Sequence, residues 1–500
     1  MRSQFIFTVA LMTLQPTLAK PTSNRGSFRI KPRWDRSEPT ESSETNLIPS
    51  TYGALKSEDD PTDPFDTYII TMKGTEARSW FDIFEEMGFN ATENTKKQYF
   101  SHTNNESGYH NHIRRFETDF GEKIEAFGYN MRSFTMNLRE SEADGLSGLE
   151  EVAIIEKNSV ARPTVIEEDY IEVRNMTVGK FEKRQQGLAE IYVQKTAPWN
   201  LQRISTRDKV VTNGRNVTDM RYDYTYDSMA GLGVDVYLLD TGTNIEHKDF
   251  AGRAKREFNA FEGDDGKDMR GHGTHTAGTV ASINYGVAKN ANLLAMKVIS
   301  NAGKAPAAGV IQAIDHAISR HNKRRKDADF KGSIISMSLS GPGTAESVKQ
   351  VMLTAIQAGI HISMAAGNQN KDACTSWPAR YSKELPIITV GASDINDKKA
   401  GFSNFGECVD IHAPGVAITS TYHKGPTSIA SLQGTSMACP AVTGIIADEL
   451  VKNPRLRYNP LGMKRHLISM SAGVAVVGVK NGEGLANNGF QGTSDEIFIP

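Results

Sequence analysis

From Ala197 onward the chain alternates short apolar runs with longer stretches of helical periodicity, and that alternation narrows the fold class more than any other feature. Gly233 to Leu239, Leu293 to Ile299, Ser333 to Ser338, Ile360 to Ala365 and Pro386 to Val390 read as buried strands. Ala308 to His321 and Ala345 to Ala358 carry apolar residues at helical spacing between them. Strands alternating with helices predict an α/β domain whose parallel sheet is covered on both faces. Ligands of such sheets bind at the carboxyl ends of the strands. Residues placed just after an apolar strand or at a helix start are therefore the candidates for chemistry.

The first half of the chain has another character. Arg2, the apolar run Phe5 to Leu14 and the small residues up to Ala19 predict a secretory signal peptide over residues 1–19. That run is too short to span a bilayer. No later run is long and apolar enough to do so, and the expected location is secreted, with the vacuolar lumen as the alternative. Residues 20–64 are rich in Pro, Ser, Thr, Glu and Asp and lack periodicity, which predicts a disordered pro-region. Order is expected from near Asp66. Thr67 to Met72 has strand composition, and Trp80, Phe81, Phe84 and Met87 are spaced for a helix over Glu76 to Met87. Ser133 to Leu138 predicts a strand, Glu140 to Leu149 a short helix, and Val152 to Glu156 a last strand. The order β-α-β-β-α-β is the ferredoxin-like plan, here over residues 65–165. Residues 166–195 are charged and read as a linker, whose pair Lys183-Arg184 is a candidate second processing site for another protease. The α/β domain follows over 196–490, with a tail at 491–500.

A formal net charge of -2 gives no reason to expect a nucleic-acid or acidic-lipid partner. The basic cluster Lys323 to Lys326 reads as a solvated helix end. Three cysteines do not make a disulfide scaffold; in an oxidising compartment they predict one bridge and one buried thiol. Behind a signal peptide, the sequons at Asn90, Asn105, Asn175 and Asn216 become candidate glycan sites.

Three short motifs carry the chemistry. Asp240-Thr241-Gly242 ends an apolar strand, Gly271-His272-Gly273-Thr274-His275 leads into a helix, and Gly434-Thr435-Ser436-Met437-Ala438 opens another. Each alone has an ordinary reading as a turn, a structural histidine or an N-cap. Together they supply what acyl transfer requires. A serine hydroxyl is a weak nucleophile at neutral pH and needs an imidazole base. The imidazole needs a carboxylate to hold its tautomer and stabilise its cation. A helix beginning at Ser436 also aims backbone N–H groups at the reacting carbonyl. Ala365-Ala366-Gly367-Asn368 ends another apolar strand, which makes Asn368 the candidate second donor to an oxyanion. Zinc chemistry is set aside, because His272 and His275 lack the i, i+4 spacing and adjacent Glu of a metalloprotease helix. His275 is expected to be structural.

The order Asp, His, Ser is that of subtilisin. On these motifs, with Ala197-Pro198-Trp199 and Phe402-Ser403-Asn404-Phe405-Gly406, the chain resembles the subtilases of the proteinase K and cerevisin branch. The resemblance implies a serine endopeptidase of broad specificity acting on proteins and peptides through an acyl-enzyme, monomeric and made as a zymogen. Residues 65–165 would be its inhibitory prodomain, with self-cleavage between Val160 and Glu168. Substrate would add as a strand between Gly303-Lys304-Ala305 and Ser338-Leu339-Ser340-Gly341, above an S1 floor of Ala365, Ala366 and Gly367. The resemblance further implies a Cys374–Cys408 bridge, which leaves Cys439 unpaired. No cofactor is expected for the chemistry. A structural calcium is expected on the Asp410 carboxylate and the Leu385 and Ile387 carbonyls. The chain departs from the family at Ala441, where His is usual, and at Ala305-Pro306, where Gly is usual; Lys304 is placed to meet acidic side chains at S4. Two other readings are a processing protease selective for dibasic sites, which usually carries an added β-rich domain, and a non-catalytic binder, which would have lost a triad member.

Overall fold

The computed structural model describes residues 65–73, 114–117, 123–127, 132–148, 152–172, 181–186, 189–261, 263–479 and 482–490. The expected signal peptide, the 20–64 segment, the helix over Glu76 to Met87, the tail and the sequons at Asn90, Asn105 and Asn175 lie outside them.

The N-terminal region is built on strands β1 (Phe65–Met72), β2 (Arg114–Glu117), β3 (Lys123–Phe127), β4 (Ser133–Arg139) and β5 (Val152–Lys157), with helix α1 (Glu140–Ser147) between the last two. The sheet runs in the order β2-β3-β4-β1-β5 and is antiparallel. That is the strand order of a ferredoxin-like sheet with one more strand on its edge. Ile69 and Ile70 of β1 and Phe134 of β4 beside it have no exposed surface.

Beyond this sheet come β6 (Val160–Pro163), β7 (Ile166–Glu172), β8 (Phe181–Gln186) and β9 (Ala189–Ala197). The expected linker over 166–195 thus contains strands. Its charge hides a period-two pattern: Ile191 and Val193 of β9 are buried, while Phe181, Glu182 and Lys183 of the partner strand stay exposed. Helix α2 (Trp199–Ile204) and β10 (Tyr222–Asp227) complete this section, and β8, β9 and β10 form one three-stranded sheet.

The rest is the α/β domain: β11 (Val234–Asp240), β12 (Ala254–Asn259), α3 (His272–Ala281), β13 (Asn292–Lys297), β14 (Ala305–Pro306), α4 (Ala307–Arg324), β15 (Gly332–Met337), β16 (Leu339–Pro342), α5 (Glu346–Gln357), β17 (His361–Ala365), β18 (Ser376–Trp377), β19 (Ile388–Ser393), β20 (Ile411–Pro414), β21 (Ile418–Thr421), β22 (Ile429–Gln433), α6 (Thr435–Lys452) and α7 (Pro460–Ser471). Seven strands form a parallel sheet in the order β12-β13-β11-β15-β17-β19-β20. Alternate residues of β11 enter opposite cores. Val234, Val236 and Leu238 share one with Val280 of α3 and Val442 of α6. Tyr237 and Leu239 share the other with Ile314 of α4 and Val351 of α5. Burial on both faces is why the strand is apolar along its whole length. Each such side chain adds roughly 1.5–3 kcal/mol on removal from water.

Candidate active site

Strand β11 ends at Asp240, and helix α3 begins at His272, so the sheet's carboxyl rim brings both side chains together. His272 Nδ1 donates to Asp240 Oδ1 at 2.6 Å. The Thr241 amide donates to the same oxygen at 2.7 Å, and Thr276 Oγ1 to Oδ2 at 3.1 Å. With Asp240 2% and His272 4% exposed, the carboxylate is held in one orientation away from water. Close approach requires glycine at 273, where a Cβ would stand 2.0 Å from the Gly242 carbonyl oxygen and 3.2 Å from Asp240 Cβ.

Asp268 ties these pieces together and was missed in the sequence. Its Oδ1 accepts from Thr241 Oγ1 and the Gly271 amide at 2.8 and 2.7 Å, and its Oδ2 accepts from the Thr274 amide at 2.8 Å. One buried carboxylate therefore anchors the turn after Asp240 to the start of the His272 helix. His275 lies on the same helix but serves the fold. Its Nε2 donates to the Ile418 carbonyl at 2.9 Å, and burial lowers its pKa to about 3.

Ser436 stands in the first turn of α6 and has no exposed surface. Its hydroxyl is not on the imidazole. It donates to the Ser338 carbonyl at 3.0 Å and lies 2.7 Å from Thr164 Oγ1, while His272 Nε2 is buried with no hydrogen-bond partner. Asn368 is clamped from one side only. The Thr435 amide and Oγ1 both donate to its Oδ1, at 2.9 and 2.8 Å, which leaves Nδ2 buried and unpartnered.

That free amide has a neighbour from the N-terminal region. The Ser436 amide donates to the Thr164 carbonyl oxygen at 3.1 Å, and the Thr164 amide donates to the Ser338 carbonyl at 3.1 Å. A Cβ on Gly434 would lie 2.4 Å from the Thr164 oxygen and 2.9 Å from Asn368 Nδ2, so only glycine leaves room for them to share that corner. Upstream of Thr164, β6 runs antiparallel between β14 and β16. Of the expected substrate segments, Leu339 and Ser340 pair with Pro163 and Arg162, and Ala305 pairs with Ala161. Gly303 and Lys304 do not pair; they close a turn on Ser300, where Gly303 takes a positive φ of 74°. Gly341 pairs with Trp377 of β18 instead. Ala365 ends β17, the Ala366 amide donates to the Val390 carbonyl, and the Gly367 amide donates to Thr435 Oγ1.

The subtilase family model (Peptidase_S8) matches residues 231–495, more than half of the chain. The chain belongs to the subtilase family. Cerevisin of Saccharomyces cerevisiae is 44% identical over 267 residues, 53% of this chain and 40% of that protein. The subtilisin-like serine protease Rho m 2.0101 of Rhodotorula mucilaginosa is 43% identical over 265 residues, 53% of this chain and 75% of that one. A cold adapted subtilisin-like serine proteinase of known structure matches 58% of this chain and 97% of its own at 34% identity, with a TM-score of 0.49. The chain thus spans between two fifths and three quarters of the length of these two curated relatives.

Two further expectations concern the cysteines and a calcium ion. Cys374 and Cys408 form a disulfide, and Cys439 is free and buried in α6. The residues expected to hold calcium do not fit it. Asp410 Oδ1 faces Lys464 Nζ at 2.8 Å, and its Oδ2 accepts from Ser382 Oγ and the Thr389 amide at 2.5 and 2.9 Å. Lys464 also donates to the Ser382 carbonyl at 2.8 Å, and the Leu385 carbonyl accepts from the Ile387 amide at 2.8 Å. Burial pushes the Asp410 carboxyl pKa up, and the Lys464 charge pulls against it. Calcium takes six to eight oxygen ligands; an ammonium already fills that role. Helix α7 brings Lys464 in from far along the chain, so no local pattern announced it. Among the described residues no group of three or more metal-binding side chains occurs. Of the sequons, Asn216 lies exposed in a turn closed by Thr218.

Proposed function

We propose that this subtilase is a serine endopeptidase of broad specificity, made as a zymogen that cuts its own Thr164–Val165 bond. The observation that carries this reading is the Thr164 carbonyl, hydrogen-bonded to the Ser436 amide at the end of a strand held on both edges by β14 and β16. It is the arrangement an extended substrate requires. Ser436 turns its hydroxyl to His272 and attacks the Thr164 carbonyl carbon, while Nε2 takes the proton. Asp240 holds the imidazole and stabilises its cation. The oxyanion is met by the Ser436 N–H and by Asn368 Nδ2, an amide already aimed and unpaired. Collapse breaks the bond to the Val165 nitrogen, which leaves as an amine carrying the proton from His272. Water, deprotonated by the same imidazole, then releases the Thr164 carboxylate and restores the serine.

The zymogen reading has a second support. Helices α4 and α5 lack side-chain N-caps of their own. Asn158 Oδ1 accepts from the Ala308 amide at 3.1 Å, and the Glu156 carboxylate accepts from the Glu346 and Ser347 amides at 2.8 Å each. The N-terminal domain thus satisfies orphan donors at two helix starts, where an anion is also favoured by the helix dipole. Residues 65–164 fit the part of a folding template as well as an inhibitor. We assign the protein to the secretory route on its first 19 residues, secreted or in the vacuolar lumen. Among the described residues no helix is long and apolar enough to cross a membrane.

The test compares the full chain with its Ser436→Ala variant. The wild type should release a fragment whose last residue is Thr164, and the matured protein should hydrolyse an unfolded polypeptide. Ser436→Ala should stay whole and inactive. Cleavage of the variant at the same bond, or matured wild type unable to hydrolyse any unfolded chain, would refute the reading.

A further inference from the structure

The chain does not leave the cleft after Thr164. Ile166 pairs with Gln433, three residues before the nucleophile; after a bulge, Ile171 and Glu172 pair with Ser431 and Ala430. Strand β7 therefore lies antiparallel on β22, along the side where the departing half of a substrate would run. Val165 packs against the buried cluster of Trp199, Leu432 and Met437. Downstream, β9 is the middle strand of the β8-β9-β10 sheet and enters α2 directly. That helix is locked in: Trp199 is wholly buried, and Arg203 meets Asp397 in an ion pair with both side chains 1% exposed.

Cutting Thr164–Val165 severs the N-terminal domain but leaves residues 165–172 attached to this anchor. A segment that stays covalently joined to the body it docks on is held there at an effective concentration in the millimolar range. The strand is thus expected to stay seated on β22. The pair Lys183-Arg184 lies in β8, at the outer edge of its sheet, and the Lys183 side chain is 51% exposed. An edge strand is the part of a sheet most easily taken up by another protein.

We propose that self-cleavage at Thr164–Val165 opens only the non-primed half of the cleft. The primed half stays covered by the chain's own residues 165–172 until a second protease, one that reads paired basic residues, cuts at Lys183-Arg184. This second cut hydrolyses one peptide bond with one water. The fragment 165–184 then has no covalent link to the anchor and is free to dissociate. The inference rests on the peptidase reading above.

The experiment uses the full chain after self-cleavage and separation from the N-terminal domain, as wild type cut by a dibasic-specific protease and as the uncut Lys183→Gln/Arg184→Gln variant. Two probes are compared: Ala-Arg-Pro-Thr p-nitroanilide, which lies only on the non-primed side, and a quenched peptide extending eight residues past the scissile bond. Both proteins should hydrolyse the anilide with the same kcat and KM. The uncut variant should show a KM for the long peptide raised roughly tenfold or more, and adding Ile171→Pro, which disrupts the strand pairing, should lower it again. Equal KM values for the long peptide in cut and uncut protein would overturn the inference. Failure of both probes in both proteins would sink the peptidase reading, and this inference with it.

Discussion

The two halves of the cleft are filled by the same chain in different ways. On the non-primed side, β6 is paired on both edges, Ala161 is buried in the core shared by α4 and α5, and Glu156 and Asn158 cap those helices. On the primed side, β7 is paired with β22 alone and interrupted by a bulge. In the zymogen proposed above, the first half would be closed by a folded domain held through strand pairing and helix capping. The second is closed by a single strand whose persistence comes from its tether. Inhibition by contact area and inhibition by connectivity should therefore fail under different perturbations.

Ser436→Ala should have the largest effect, with turnover falling roughly 10⁶-fold and both halves left filled in an uncut chain, as intact mass would show. Asn368→Ala acts at the point between the halves. It should lower kcat roughly 10²–10³-fold with little change in KM for the anilide; an unchanged kcat would remove Asn368 from the oxyanion site.

Acid should weaken the sheet on which both halves depend. Burial lowers the pKa of His361 and His412 from 6.5 to about 4, and that of His275 from 6.5 to about 3. Between those values and 6.5 the unfolded chain binds protons that the folded one does not. Stability is thus complete above pH 6.5 and falls as pH drops toward 4 and below. Each histidine steepens the loss by about 1.4 kcal/mol per pH unit at most. Urea unfolding at several pH values between 7 and 4.5 would read it, and a flat profile would count against these assignments.

A smaller and selective effect is expected of Glu156→Ala. Loss of a helix cap of about 1 kcal/mol should weaken inhibition by the separated N-terminal domain roughly fivefold, with no change in the long-peptide KM set by β7. If both changed together, the two closures would not be independent. The smallest effect is none: a calcium chelator should leave the melting temperature unmoved, since Lys464 already neutralises Asp410. A drop reversed by added calcium would show that the ammonium does not replace the metal.

What was legible in the sequence was local. Asp240 follows an apolar strand, His272 and Ser436 open helices among glycines, and the strand period and helix period alternate within windows of a dozen residues. What escaped reading was set by partners distant in sequence. Thr435 orients the Asn368 amide, Asp268 ties the aspartate turn to the histidine helix, and Lys464 reaches Asp410 from α7. In the charged segment over 166–195, β7 and the other edge of β9 find their partners in β22 and β10, outside the segment, while β8 and β9 pair as a local hairpin whose exposed residues masked its period. The strand expected over Gly303 to Ala305 forms at Ala305-Pro306, since a turn at Ser300 takes up the residues before it.

By itself the order of residues determined the α/β class and marked Asp240, His272 and Ser436 as candidates at strand ends and helix starts, because periodicity and helix-start chemistry are properties of neighbours along the chain. The tertiary structure alone decided which carbonyl meets Ser436, which strand covers each side of it, and that a lysine stands where a metal was expected. Those are matters of register and of contacts between distant segments, and they exist only once the sheet has brought those segments within a few ångströms of one another.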